Sequence, residues 1–215
     1  MNLADILSPK QLDELQAPLS HYKNALGNKW EAPGDLINFL TGEGYKTLGS
    51  GYFSLVFAKP GETFVLKLML SEVQADCYTN YITALQRNQS PHLPRIGRTR
   101  IYKENTDREW RIIPLERLQT ATLKELLSRD DGRMVLAFAK LANPQHFHLR
   151  GIKVGGDPQE VYDTLRKKYP KLDEALLFIH NKFHGVCDID IHEDNIMLRG
   201  NTIVITDPVS FRKKT

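Results

Sequence analysis

Fifteen consecutive residues near the C-terminus, His184-Gly185-Val186-Cys187-Asp188-Ile189-Asp190-Ile191-His192-Glu193-Asp194-Asn195-Ile196-Met197-Leu198, leave this chain few folds to choose from. The string follows the amphipathic pattern of Leu172 to Phe183 and runs into an apolar stretch, so it reads as a loop held between a helix and a strand. A solvated acidic turn accounts for Glu193 and Asp194, but it explains the whole string poorly. Asp190 and Asn195, five positions apart on one loop, offer a carboxylate that can orient a hydroxyl and take its proton, and an amide oxygen that can hold a divalent cation.

What precedes the loop changes character once. Ser8-Pro9-Lys10-Gln11 reads as a capped helix start, with Leu12, Leu15 and Leu19 following, and a second short helix is expected over Asp35 to Thr41, ending at Gly42 and Gly44. From Tyr45 the period becomes that of strands: Tyr45 to Leu48, Phe53 to Ala58 and Thr63 to Met69, separated by Gly and Pro turns as in an antiparallel meander. Val73, Cys77, Tyr81 and Leu85 mark one face of a helix over Ser71 to Arg87, and Arg95 to Ile101 and Glu109 to Leu115 read as two further strands. Helix then dominates, over Leu123 to Leu127, Met134 to Leu141, Pro158 to Lys168 and Leu172 to Phe183; Asn195 to Leu198 and Thr202 to Thr206 close the chain as a hairpin. Strands first and helices later imply an α+β protein of two lobes. The expected division is a helical extension over 1–44, an N-lobe over 45–118 and a C-lobe over 119–215.

Three more motifs stand in order along the chain. Leu48-Gly49-Ser50-Gly51-Tyr52-Phe53-Ser54 lies between two strands, where glycines let backbone amides approach a phosphate; a plain hairpin turn would also use them. Val65-Leu66-Lys67-Leu68 sets a lysine in an apolar strand, where it must either snorkel to an edge or meet an anion. Ile203-Val204-Ile205-Thr206-Asp207-Pro208 delivers a carboxylate at the end of a strand, 12 residues after Asn195, although a strand-ending turn has the same look.

At these residues the chain resembles the protein-kinase-like superfamily, and more narrowly the early serine/threonine protein kinase of T-seven-like bacteriophages. The matching stretches are Gly44 to Ser54, Asp190 to Met197 and Ile205-Thr206-Asp207-Pro208-Val209-Ser210-Phe211. The resemblance implies a two-lobed protein-kinase-like fold, with a small antiparallel β-sheet N-lobe and a truncated, mostly helical C-lobe. It also implies ATP and Mg2+ as cofactors, and serine or threonine hydroxyls of host bacterial proteins, and of the chain itself, as acceptors. It makes Asp190 the catalytic base, Asn195 and Asp207 the metal ligands, and Gly49, Ser50, Gly51, Phe53, Ser54 and Lys67 the phosphate-binding set. Adenine would be received near Leu115-Glu116-Arg117-Leu118, and either Glu72 or Asp76 would pair with Lys67.

The departures from that pattern carry their own expectations. Ile189 replaces the arginine that usually precedes the catalytic aspartate, so no pocket for a phosphorylated activation loop is expected. His192 stands where a lysine is common, as in antibiotic and choline kinases, and Val209 replaces the glycine after the metal aspartate. Eight residues follow Asp207, too few for an activation segment, so substrate docking is expected elsewhere, in the helical middle. Pro208 should send the tail outward, making Ser210 the autophosphorylation candidate. A small-molecule phosphotransferase and a kinase-shaped inhibitor of a host enzyme are the alternatives.

Composition narrows the classes further. Of 215 residues, 41% are hydrophobic and 26% charged, which excludes wholesale disorder. The net charge of +3 is scattered apart from Arg166-Lys167-Lys168 and Arg212-Lys213-Lys214, a pattern unlike a nucleic-acid interface. With no signal-like start and no long apolar run, a soluble protein of the host cytoplasm without a membrane partner is expected. The two cysteines, Cys77 and Cys187, are expected to be buried, reduced and apart.

Overall fold

The computed structural model describes residues 19–23, 29–50, 54–70, 76–103, 109–144 and 152–210. The helix expected from Ser8 lies outside them. Backbone contacts divide the chain into two units, one formed by the chain up to Asp76 with Arg95–Arg117, the other by Cys77–Pro94 with Leu118 onward.

The first unit is built on a five-stranded antiparallel sheet. Its strands are β3 (Lys46–Ser50), β4 (Ser54–Ala58), β5 (Phe64–Leu70), β6 (Arg100–Lys103) and β7 (Glu109–Glu116), in the spatial order β3-β4-β5-β7-β6. The helix α1 (Gly34–Gly42) supplies Leu36, Ile37 and Leu40 to a core shared with Leu55, Phe57, Leu66, Leu68, Trp110 and Ile112. Gly44, at φ 85°, closes α1 in the left-handed region, where a side chain would be strained, and Tyr45 N donates to Leu40 O at 2.9 Å. Because strand side chains alternate, Leu66 and Leu68 face α1 and Lys67 faces the opposite way, paired in register with Val56 and Ile113.

The stretch before α1 is not purely helical. Strands β1 (Leu19–Lys23) and β2 (Lys29–Pro33) form an antiparallel hairpin, with Leu19 opposite Pro33 and Lys23 opposite Lys29. Local periodicity cannot name a strand's partner, which is why this pairing was not visible in the pattern of leucines.

In the second unit helices and a small sheet share one core. The helices are α2 (Asp76–Leu85), α3 (Leu123–Ser128), α4 (Asp130–Ala142), α5 (Pro158–Arg166) and α6 (Pro170–Phe183). Their starts follow capping chemistry: Thr122 accepts from Glu125 N, Asp157 accepts from Gln159 N and Glu160 N, and Pro158 and Pro170 occupy first-turn positions. Helix α4 is buried continuously from Met134 to Ala139, whereas α6 buries only Leu172, Ala175, Leu176, Ile179 and Phe183. The sheet is β8 (Gln119–Thr120), β10 (Ile196–Arg199) and β11 (Thr202–Ile205), with β10 central, and β9 (Asp188–Ile189) pairs with β12 (Val209–Ser210). No helix among the described residues is long and apolar enough to cross a membrane.

Helix α2 and the turn after it belong to this unit, although they follow the sheet of the other in sequence. Tyr81 is fully buried and donates its hydroxyl to Ile205 O at 3.1 Å. Ile205 N donates to His92 O and His92 Nδ1 to Ile203 O, both at 2.9 Å. Cys77 and Cys187 are joined as a disulfide across 110 residues, which corrects the expectation of two separate thiols. Sequence distance says nothing of proximity here, because the fold lays α2 against the segment that enters β9.

One helix contact is tight enough to test. A Cβ on Gly132, in the first turn of α4, would lie 2.2 Å from the backbone oxygen of Leu126. Backbone cannot swing aside as a side-chain tip can, so Gly132→Ala is expected to lower unfolding free energy by about 1–3 kcal/mol, read by denaturant titration.

Candidate functional site

The acidic loop of the second unit is tied down at both ends. At its start, Ile189 on β9 lies opposite Val209 on β12, Asp190 N donates to Pro208 O at 2.7 Å, and Asn143 Nδ2 from the end of α4 donates to Ile189 O at 2.9 Å. At its end, Ile196 pairs with Ile205, and Asn195 O accepts from Thr206 N at 2.9 Å and from Thr206 Oγ1 at 3.1 Å. The tail therefore does not run outward after Pro208. Val209 is buried and Ser210 pairs with Asp188, so burial of one apolar side chain beside Ile189 turns the strand back.

Between these anchors a single amide gathers the three residues singled out by motif. Asn195 Nδ2 donates to Asp190 O and to Asp207 O, each at 2.8 Å, and His192 Nε2 lies 2.9 Å from the same nitrogen. With its N–H groups turned to the loop, the Asn195 side chain presents its carbonyl oxygen as the group left to act as an acceptor. His192 also lies between carboxylates, with Nε2 3.9 Å from Asp190 Oδ1 and Nδ1 3.5 Å from Asp194 Oδ2.

Tyr78 completes the arrangement, and the motif pattern did not single it out. Its hydroxyl is hydrogen-bonded to the Asp207 carboxylate, and its acidity is pushed well above the ordinary tyrosine value by burial first and by the Asp207 charge second. It is thus a neutral, protonated donor. A signal existed in the sequence, since Tyr78 and Tyr81 stand one helical turn apart and a buried tyrosine hydroxyl needs a partner.

The first unit carries the remaining candidates on its sheet. Lys67, 6% exposed, stands in mid-strand on β5. Gly49 and Ser50 end β3, where the register with β4 shifts after Thr47, and a Cβ at Gly49 would meet no atom within 4 Å. Ser54 is buried at the start of β4, opposite Met69. Glu116 closes β7 and holds Arg95 from both sides: its Oε1 accepts from Arg95 N at 2.9 Å, and its own N donates to Arg95 O at 3.0 Å. The chain passes from one unit to the other between Arg117 and half-buried Leu118, within the segment expected to receive adenine. Gly51, Phe53 and Glu72 lie outside the described residues, and Asp76 opens α2.

Among the described residues no group of three or more His, Cys, Asp or Glu side chains is placed to hold a metal ion. The Asn195 and Asp207 pair is of another kind: an amide oxygen and one carboxylate fit magnesium, which takes one or two protein oxygens and completes its shell with water and phosphate.

Residues 137–215 match the family model described as Bacteriophage T7 protein kinase 0.7. The matched stretch contains Asp190, Asn195 and Asp207; it spans less than half of the chain and does not include the strand bearing Lys67. The match supports a relation to the phage T7 protein kinase. No curated protein matches the chain.

Proposed function

We propose that this chain is a phage-type protein kinase that uses ATP and magnesium to phosphorylate serine or threonine hydroxyls of host-cell proteins. The observation that carries the reading is the Asn195 amide, which joins the backbones of Asp190 and Asp207 within the stretch matched by the family model. One bond network thereby sets the spacing of a carboxylate for the acceptor hydroxyl, an amide oxygen and a second carboxylate.

Each residue has a separate task in that reading. Lys67, an ammonium among apolar neighbours, binds phosphate oxygens, and the backbone around Gly49 to Ser54 approaches them closely. Magnesium, when bound, would be held by Asn195 Oδ1 and the Asp207 carboxylate and would neutralise phosphate charge. Asp190 accepts a hydrogen bond from the acceptor hydroxyl and orients it. As that oxygen bonds to the γ-phosphorus and the bond to the ADP oxygen breaks, the proton passes to Asp190 and ADP keeps the bonding pair. Ile189, buried and apolar, offers no cation to a phosphorylated loop, so the enzyme needs no prior phosphorylation. Ser210 is the autophosphorylation candidate; cross-strand pairing with Asp188 would set a phosphate beside a carboxylate and weaken the β9–β12 pair.

The test is transfer of label from γ-labelled ATP to proteins of a bacterial lysate, with phosphoamino-acid analysis and with aminoglycosides offered in parallel. Label on serine or threonine is expected. Label confined to the aminoglycoside, or none on any acceptor, would overturn the reading.

Tyr78 gives a finer prediction. Tyr78→Phe keeps the ring in its buried site and removes the hydroxyl that bonds Asp207. Charged hydrogen bonds contribute about 1.5–3 kcal/mol, so the magnesium concentration that half-saturates ATP binding should rise about tenfold, with thermal stability little changed. Calorimetric titration of ATP at graded magnesium checks it.

A further inference from the structure

A long groove crosses the surface of the second unit between α6 and the C-terminal half of α2 with its following turn. It consists of two adjoining hollows of about 510 and 370 Å³ that share Asn88. Lys171, Glu174, Phe178 and Lys182 recur every three or four residues along the α6 wall, and Arg87 stands on the other. The larger hollow has an apolar floor, with Phe178 and Phe183 in edge contact at 6.4 Å and Val186, 68% exposed, beside them.

Charge decides what this groove suits. Arg87, Lys171 and Lys182 are exposed, and none forms an ion pair with a described residue; Glu174 is the one carboxylate among the described lining residues. An extended peptide could set acidic side chains against the three cations and an apolar one on Phe178 and Val186. A nucleic-acid strand fits less well, because Glu174 lies within the row of cations and would meet a continuous line of phosphates.

We infer that this groove docks an acidic segment of the protein substrate that carries an apolar anchor. The inference rests on the kinase reading for the identity of the partner, while the binding itself does not. The site differs from the helical middle where docking was expected, because α6 and α2 meet only through the fold. Two of the segments that line it lead on to the candidate site: Cys187 lies three residues before Asp190, and α2 also carries Tyr78.

The experiment is fluorescence anisotropy without nucleotide. Its probe is a dye-labelled peptide of sequence Glu-Glu-Leu-Phe-Glu-Glu, compared with a lysine counterpart and a dye-labelled single-stranded oligonucleotide. The acidic peptide should bind the full chain, weaken with salt, and lose about tenfold in affinity in the Arg87→Glu, Lys182→Glu double variant, whose exposed positions leave the fold intact. Equal affinity in parent and variant, or preference for the oligonucleotide or the lysine peptide, would overturn the inference. In steady-state transfer, a substrate bearing the acidic segment should show raised KM and unchanged kcat in the double variant, and one lacking it should show no change. Peptide binding in a protein that transfers no phosphate leaves the groove standing and removes the kinase reading. Transfer with a KM indifferent to the double substitution does the reverse.

Discussion

Asp190→Asn is expected to lower phosphoryl transfer by about 10²–10⁴-fold while leaving ATP affinity within about twofold of the parent. The separation follows from which atoms do the structural work. Asp190 is fixed by its backbone, its N–H donating to Pro208 O and its carbonyl accepting from Asn195 Nδ2, so exchange of one carboxylate oxygen for an amide leaves the loop in place. What disappears is the negative acceptor to which the proposed function gives the task of orienting a hydroxyl and taking its proton. Single-turnover transfer and calorimetric ATP titration, run on the same preparations, check both halves. A variant that transfers at the parental rate would remove Asp190 from the base's role.

Asn195→Asp should do more damage than its small change in shape suggests. If Asn195 were only a cation ligand, a carboxylate would serve as well and activity would persist. In this structure the amide nitrogen faces two backbone carbonyls at 2.8 Å, and the substitution sets an oxygen, charged at neutral pH, against both. Loss of the amide donor costs each of the two carbonyls about 1–3 kcal/mol, and in a chain of this length each kcal/mol lowers the midpoint of thermal unfolding by about 2–4 °C. Transfer should fall as well, since Asp190 and Asp207 are no longer held at a fixed spacing. Thermal unfolding with and without Mg-ATP, alongside a transfer assay, measures both; parental values in both would show that the amide holds nothing together.

Much of the secondary structure could be read directly from local chemistry. Alternation announced β4 and β5 around Lys67, and the glycines after Thr41 announced the end of α1. The loop residues Asp190 and Asn195 and the strand-end Asp207 stood out because polar groups flanked by buried apolar ones demand a reason. Several strand pairings were not legible: β1 with β2, β8 beside β10, and β9 with β12 are each too short for a pattern to select a partner.

The site divides in the same way. The amino-acid order of this protein determined which side chains could perform chemistry, because residue type and spacing along one loop are local properties that need no partner. Tertiary structure alone decided which of them meet: the Asn195 amide between two carbonyls, the Tyr78 hydroxyl on Asp207, the Cys77–Cys187 bond, and the return of the tail that pairs Ser210 with Asp188. Each of these joins groups far apart in the chain or depends on a backbone atom whose position no side chain reveals. Hydrogen bonds act over about 3 Å, so their partners are chosen by the packed core, to which every residue contributes at once.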